Sequence, residues 1–236
     1  MIDMEKINDF ELAELMGIMI GDGHISFVRR QYFISISGNL KDEKIFFESV
    51  IIPILSKLRY KKVVFKTFAK YGKIEINFSD KYLFYFFKSL GYPEGRKSHK
   101  IIIPHNFYNS KLNKFVVAGI FATDGCLTIT DNNGTIYPRI EFKSKSIGLL
   151  KQIKSILDGF GMEGGLYTRF GRLQYNGKKQ LDIFLRNIGF INPKHKEKYN
   201  KWVESQNVGV AQLGRAPVGT LVPGDSHKII MRFDSR

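Results

Sequence analysis

The sequence predicts an α+β protein in which one αββαββα unit is written twice, with helices packed on one face of antiparallel sheets. Three observations carry this. "LMGIMIGDG", Leu15 to Gly23, and "VAGIFATDG", Val117 to Gly125, are apolar runs with small residues, each closed by Asp-Gly and 102 residues apart. "SLGYPEGRKSHK" and "NIGFINPKHKEK" then repeat a Gly-aromatic pair followed by a basic cluster, with the glycine 69 residues after Asp22 and 65 after Asp124. Finally, 236 residues suffice for one large core or two half-cores sharing an interface. The expected boundaries are 1–104 for the first unit, 105–206 for the second, and 207–236 for a Gly- and Pro-containing extension without a sustained period.

Each unit reads in the same order. The motif run is a helix. "HISFV" pairs with "QYFISIS", and "CLTITD" with "YPRIEFK", the second pair joined by "DNNGT", whose Asn-Gly is a hairpin signal. A longer helix follows. In "KDEKIFFESVIIPILSKL", Ile45, Phe46, Val50, Ile54 and Leu58 make the expected buried stripe, with a kink at Pro53. In "KSIGLLKQIKSILDGFG", Ser146 is placed to cap, and Leu149, Leu150, Ile153, Ile156 and Leu157 form the stripe. A second hairpin, "VVFKTFAKYGKIEINF" or "GLYTRFGRLQYNG", and a short helix, "KYLFYFFKSLG" or "QLDIFLRNIG", complete each unit.

Composition narrows the function. The formal charge of +15 predicts attraction to polyanions, nucleic acid before membrane, since no basic amphipathic helix stands out. The single cysteine, Cys126, excludes an intrachain disulfide and a cysteine-based metal cluster. With neither a signal-type N-terminus nor a bilayer-length apolar run, a cytoplasmic setting is expected, an organellar matrix remaining open.

The Asp-Gly endings are the chemical clue. Gly fits the left-handed position after a helix. The preceding acid instead opposes the negative end of the helix dipole, at about 0.3–1 kcal/mol. Gly17 and Gly21, like Ala118, Gly119 and Ala122, let two helices approach closely. If the helices pack in parallel, Asp22 and Asp124 meet across the seam. Two such carboxylates raise each other's pKa, and a hard divalent cation, Mg²⁺ best, removes the conflict; the carbonyls of Gly21 and Thr123 are natural additional ligands.

These motifs resemble those of the LAGLIDADG homing endonucleases, specifically the single-chain type with two motif copies, over roughly residues 10 to 203. The resemblance implies a pseudo-two-fold saddle and Mg²⁺-dependent double-strand cleavage of a long DNA site by a monomer. It implies Asp22 and Asp124 as the metal-binding acids, with Lys97, Lys143 and Lys196 as candidates for assisting the water or the leaving group. There are two departures. Gly38 stands where some members carry a polar side chain that organises water, and Leu127 supplies no basic group after the second motif.

The strands support a DNA-reading surface. Alternation in "GKIEINFS" turns Lys73, Glu75 and Asn77 away from Ile74, Ile76 and Phe78, and "LYTRF" sets Tyr167 and Arg169 opposite Leu166, Thr168 and Phe170. Ser26, Arg30, Tyr32, Ser35, Ser37, Lys66, Lys70, Thr128, Arg139, Glu141, Lys143 and Gln174 are assigned to the same outer faces. Such groups suit base edges and phosphates of double-stranded DNA. The five histidines show no zinc spacing, "DNNGT" lacks the later ligands of a calcium loop, and no Gly-rich phosphate loop occurs. A non-cleaving nucleic-acid binder, such as an RNA maturase or a degenerate DNA-binding relic, would keep the same surface and charge.

Overall fold

The computed structural model describes residues 6–59, 61–132 and 135–213. In the first unit, α1 (Asp9–Asp22) begins at a capping box: Asn8 Oδ1 accepts from the Glu11 N–H at 2.8 Å, and the Glu11 carboxylate accepts from the Asn8 N–H. The chain turns directly into β1 (Gly23–Val28) and β2 (Gln31–Asn39), then α2 (Leu40–Phe46) and α3 (Ile52–Leu58). β3 (Lys66–Phe68), β4 (Lys73–Ser79) and α4 (Lys81–Ser89) complete the unit. A short α5 (His105–Tyr108) leads to the second unit, whose elements follow the same order. These are α6 (Asn113–Asp124), β5 (Gly125–Asn132), β6 (Thr135–Lys143), α7 (Ile147–Gly159), β7 (Gly165–Tyr167), β8 (Arg172–Asn176) and α8 (Lys178–Asn187). Each unit has one four-stranded antiparallel sheet, ordered β1-β2-β4-β3 and β5-β6-β8-β7. The doubled order read from the sequence is the observed one.

Local corrections have physical causes. Between α2 and α3 the helix widens into a π turn at Phe47–Ile51, where the Ile52 N–H reaches back to the Phe47 carbonyl. Pro53 has no N–H to give and its ring crowds the preceding turn, so the wider register absorbs it. The buried stripe is Phe46, Phe47, Ile51, Ile54, Leu55 and Leu58; Ile45 is exposed, on the opposite side. The segments after β3 and β7 are not strands but single 3₁₀ turns, Ala69–Tyr71 and Thr168–Phe170, closed by left-handed Gly72 and Gly171. Phe170 is therefore exposed rather than buried. The tip of "DNNGT" (Asn133, Gly134) lies outside the described residues, as does the extension beyond 213; α9 (Pro193–Leu213) runs through the point where that extension is expected to begin.

One hydrophobic cluster joins both units and includes Leu15, Met16, Ile18 and Ile20 of α1 with Val116, Val117, Ile120 and Phe121 of α6. The linker is fastened to the second unit. The Ser146 hydroxyl donates to the Ile101 carbonyl at 2.6 Å while accepting the Leu149 N–H, and the Gln152 amide clasps both polar groups of Ile103. No helix among the described residues is long and apolar enough to cross a membrane.

Candidate functional site

The site is built on the contact between α1 and α6. A Cβ on Gly17 would run into the Val116 carbonyl and lie 2.8 Å from the Gly119 Cα; a Cβ on Gly119 would strike the Glu14 carbonyl and come as near to Gly17. Four residues further on, Gly21 faces Thr123, and its added Cβ would stand 3.5 Å from Asp124 Oδ2. Both helices therefore advance together, in parallel and backbone to backbone. Larger residues at these points would hold the helices apart. The closing glycines act differently from the expectation. Gly23 (φ −80°, ψ 158°) and Gly125 (φ −90°, ψ 156°) are extended, not left-handed. Each lacks a Cβ because the strand leaves so tightly that a side chain would collide with the preceding turn, at Met19 or Phe121.

Asp22 and Asp124 thus end on one seam, half-buried, and neither carboxylate accepts a hydrogen bond from any described residue. Burial, with the charges of Asp124 and Glu43, pushes Asp22 up to about 7; Lys97 and Lys194 pull the other way. Asp124 is also raised, mainly by burial, with Lys97 and Lys194 lowering it and Glu43 raising it. Acids this crowded and without donors suit a hard divalent cation with oxygen ligands. No group of three or more His, Cys, Asp or Glu side chains suited to a metal occurs among the described residues; the seam offers a cation only two carboxylates and nearby carbonyls.

Two lysines face this acid pair, one from each unit. Lys97 Nζ donates to the carbonyls of Met19, Ile20 and Gly21 at 2.5, 2.6 and 2.8 Å, closing the carbonyl end of α1. Burial lowers it to about 8, against the pull of Asp124 and Asp22. The Tyr92 hydroxyl braces the same turn, donating to the Met19 and Gly23 carbonyls (2.7 and 2.8 Å). At the matching end of α6 the groups are uncharged. Asn192 Nδ2 donates to the Ala122 carbonyl at 2.7 Å, and buried His195, held neutral by a pKa near 3 from burial and Lys194, meets the Phe121 carbonyl. The lysine of this half is Lys194. It pairs with Glu43 of the first unit, which is buried and also accepts the Asn39 N–H at 2.9 Å.

Several sequence-based candidates fall elsewhere. Lys196 is exposed and its charge acts on Glu14, two turns before Asp22 on α1. Lys143 stands at the rim of a cleft of about 720 Å³ that Lys97, Asp124, Gly21 and the 168–171 turn also line. A cleft of about 490 Å³ lies on the other side, between Lys41, Asp42, Cys126, Lys194 and Lys198. Gly38 has a local explanation: a side chain there would collide with Glu43 Oε2 and the Phe47 ring, so Glu43 occupies the space. Leu127 is fully buried.

On the sheets, register fixes which way each residue points. Ser26, Ser35, Ser37, Glu75, Asn77, Lys73 and Lys66 alternate with buried Ile25, Ile34, Ile36, Ile74 and Ile76, so they lie on the face away from the helices. Thr128, Arg139, Glu141, Lys143, Tyr167 and Gln174 do the same in the second unit. Tyr32 does not. It shares the parity of Ile34 and packs on Phe27, Phe84 and Tyr85 (centroids 4.6, 5.2 and 5.5 Å) on the helix side. Arg30 sits at a hairpin tip with φ 64°, and Lys70 and Arg169 lie in the 3₁₀ turns. Glu43, Lys194 and Arg172 carry charge at these surfaces without having been singled out in the sequence. Only Arg172 had a legible signal, alternating with Gln174 just after a turn glycine.

Residues 114–189 match the family model of a LAGLIDADG-like domain. The second unit is therefore similar to a LAGLIDADG-like domain. Solved structures share the fold of this chain over three quarters or more of its length. Mesophilic variants of the homing endonuclease I-DmoI match at TM-score 0.53 and 17% identity, over 76% of this chain and 90% of that one. I-DmoI in complex with DNA and Ca matches at 0.53 and 16%, over 76% and 88%. I-SmaMI bound to an uncleaved DNA target in the presence of calcium ions matches at 0.56 and 12%, over 90% and 95%. No curated protein sequence matches the chain.

Proposed function

We propose that this chain is a monomeric, Mg²⁺-dependent DNA endonuclease of the LAGLIDADG type that makes a double-strand break at a long, specific site. The observation that carries the reading is the pair of half-buried acids, without hydrogen-bond donors among the described residues, where α1 and α6 meet. Asp22 and Asp124, with the carbonyls of Gly21 and Thr123, would hold the cation. When bound, it polarises the scissile phosphate and favours ionisation of the attacking water. Lys97 supplies positive charge beside the acids and opposes charge growing on the phosphate. Lys143, at the cleft rim, is placed to hold a phosphate on the approach. The outer sheet faces supply register and base contacts, and the +15 charge makes affinity fall steeply with salt.

The test is a randomised duplex library incubated with the full chain in Mg²⁺ or EDTA. Cleaved ends that appear only with Mg²⁺ and share a long common sequence support the proposal. Retention of nucleic acid without any cutting favours the maturase or relic alternative, and preference for structured RNA over duplex DNA selects the maturase.

A further inference from the structure

On the outer face of the second sheet, Glu141 is buried although it points away from the core. Cations cover it. Lys143 Nζ is 3.2 Å from Oε1, while Arg139 Nε and Arg172 Nη1 lie 3.9 and 3.8 Å from the same oxygen, Oε2. The Arg172 guanidinium also stacks over the Tyr167 ring at 5.1 Å. A single carboxylate thus gathers three positive charges, leaving a surplus of two on a surface otherwise made of neutral groups such as Gln174. Both arginine Nε atoms are buried and without a hydrogen-bond partner among the described residues. Each arginine side chain as a whole is nevertheless about one-third exposed. The strands of the first sheet contain no arginine at all.

We infer that Arg139 and Arg172 are specificity-determining residues that read guanine in the half-site under the second unit, with Glu141 as the positioning residue that aims them. This rests on the duplex-binding part of the reading above and adds which bases the second half selects. The chemistry is that of a planar fork whose terminal Nη donors would meet the N7 and O6 acceptors of guanine in the major groove, the buried Nε being out of reach. Preorganisation by Glu141 and Tyr167 lowers the side-chain entropy lost on contact. Convergence of both heads on Oε2 limits the reading to one guanine or two adjacent ones. Glu141 is too enclosed to reach a base itself.

The test is selection of bound duplexes from a randomised library by the full chain, followed by sequencing. The expected result is guanine enriched at least tenfold at one or two adjacent positions in one half-site. Arg139→Lys and Arg172→Lys should each relax that preference about tenfold while leaving the other positions unchanged. Glu141→Gln, similar in size, should relax it several-fold with unchanged preferences in the other half-site, a pattern that general loosening of the fold would not give. If the arginine variants instead weaken all duplexes equally and flatten the salt dependence, the arginines hold phosphates and the inference is overturned. Duplex bound with no guanine preference also overturns it and leaves the nuclease reading intact. Guanine preference without Mg²⁺-dependent cutting supports the inference and overturns the nuclease reading.

Discussion

The two sides of the acid pair share a backbone plan and differ in what they do with positive charge. On the Lys97 side, the ammonium closes the carbonyl end of α1 and meets no carboxylate other than the paired acids. On the Lys194 side, the ammonium is neutralised by buried Glu43, and Asn192 and His195 serve the end of α6 without charge. A repeated fold therefore does not imply repeated electrostatics. The helix seam must be symmetric because backbone packing allows nothing larger, while the groups around it are free to diverge.

Four experiments break or sharpen this contrast, the first having the largest effect. Asp22→Asn and Asp124→Asn should each reduce cleavage by about a thousandfold or more, roughly 4 kcal/mol of barrier, with duplex affinity retained. Equal losses would make the acids one shared device. A large loss from only one of them would confine the asymmetry to the acids themselves.

Stability comes next. Lys194→Met leaves Glu43 buried and unpaired, so urea unfolding should show a loss of roughly 3 kcal/mol. Lys97→Met removes hydrogen bonds to carbonyls and should cost about 1–2 kcal/mol. A reversed order would mean that Lys97 is the structural lysine. The double variant Glu43→Gln with Lys194→Met should recover most of the larger loss. Gly119→Ala, which forces a methyl into the Glu14 carbonyl, should cost about 2–3 kcal/mol and lower activity on both strands together.

The last test is a pH dependence. Asp22 is raised to about 7 in the fold, so the folded chain holds its proton more tightly than the unfolded chain does. Without a cation, stability should then fall as pH rises from about 4 to about 7, and the loss should persist above that. Asp22→Asn should flatten the curve and be the more stable protein at pH 8, by up to roughly 4 kcal/mol. Cleavage should run the opposite way, rising about tenfold per pH unit below 7 as the carboxylate becomes free to take the cation. A flat stability curve would show that Asp22 is better solvated than its burial implies.

Element order was legible because each unit repeats its hydrophobic periods, and Ser146 caps α7 as its position in the sequence implies, whereas the Asn8 capping box is visible only in the fold. Seam glycines could be read as small residues at helical spacing, though not the reason Gly23 and Gly125 follow the acids. That reason is a collision with a residue four positions back, which only coordinates reveal. Tyr32 was misplaced because a tyrosine looks like a surface residue, whereas parity with Ile34 puts it against α4. Lys194 and Lys196 are indistinguishable in a run of lysines. The first turn of α9 sends them in different directions, one to Glu43 and the other toward Glu14. Glu43 left no trace in sequence at all, since its role depends on a space that Gly38 leaves open on a different element.

The empty place at Gly38 has a consequence for any attempt to remodel this protein. Installing a longer side chain on that strand would not simply add a functional group; it would evict Glu43, release Lys194 from its partner, and change the charge beside both acids at once. Adjusting one half of the molecule means renegotiating terms with the other.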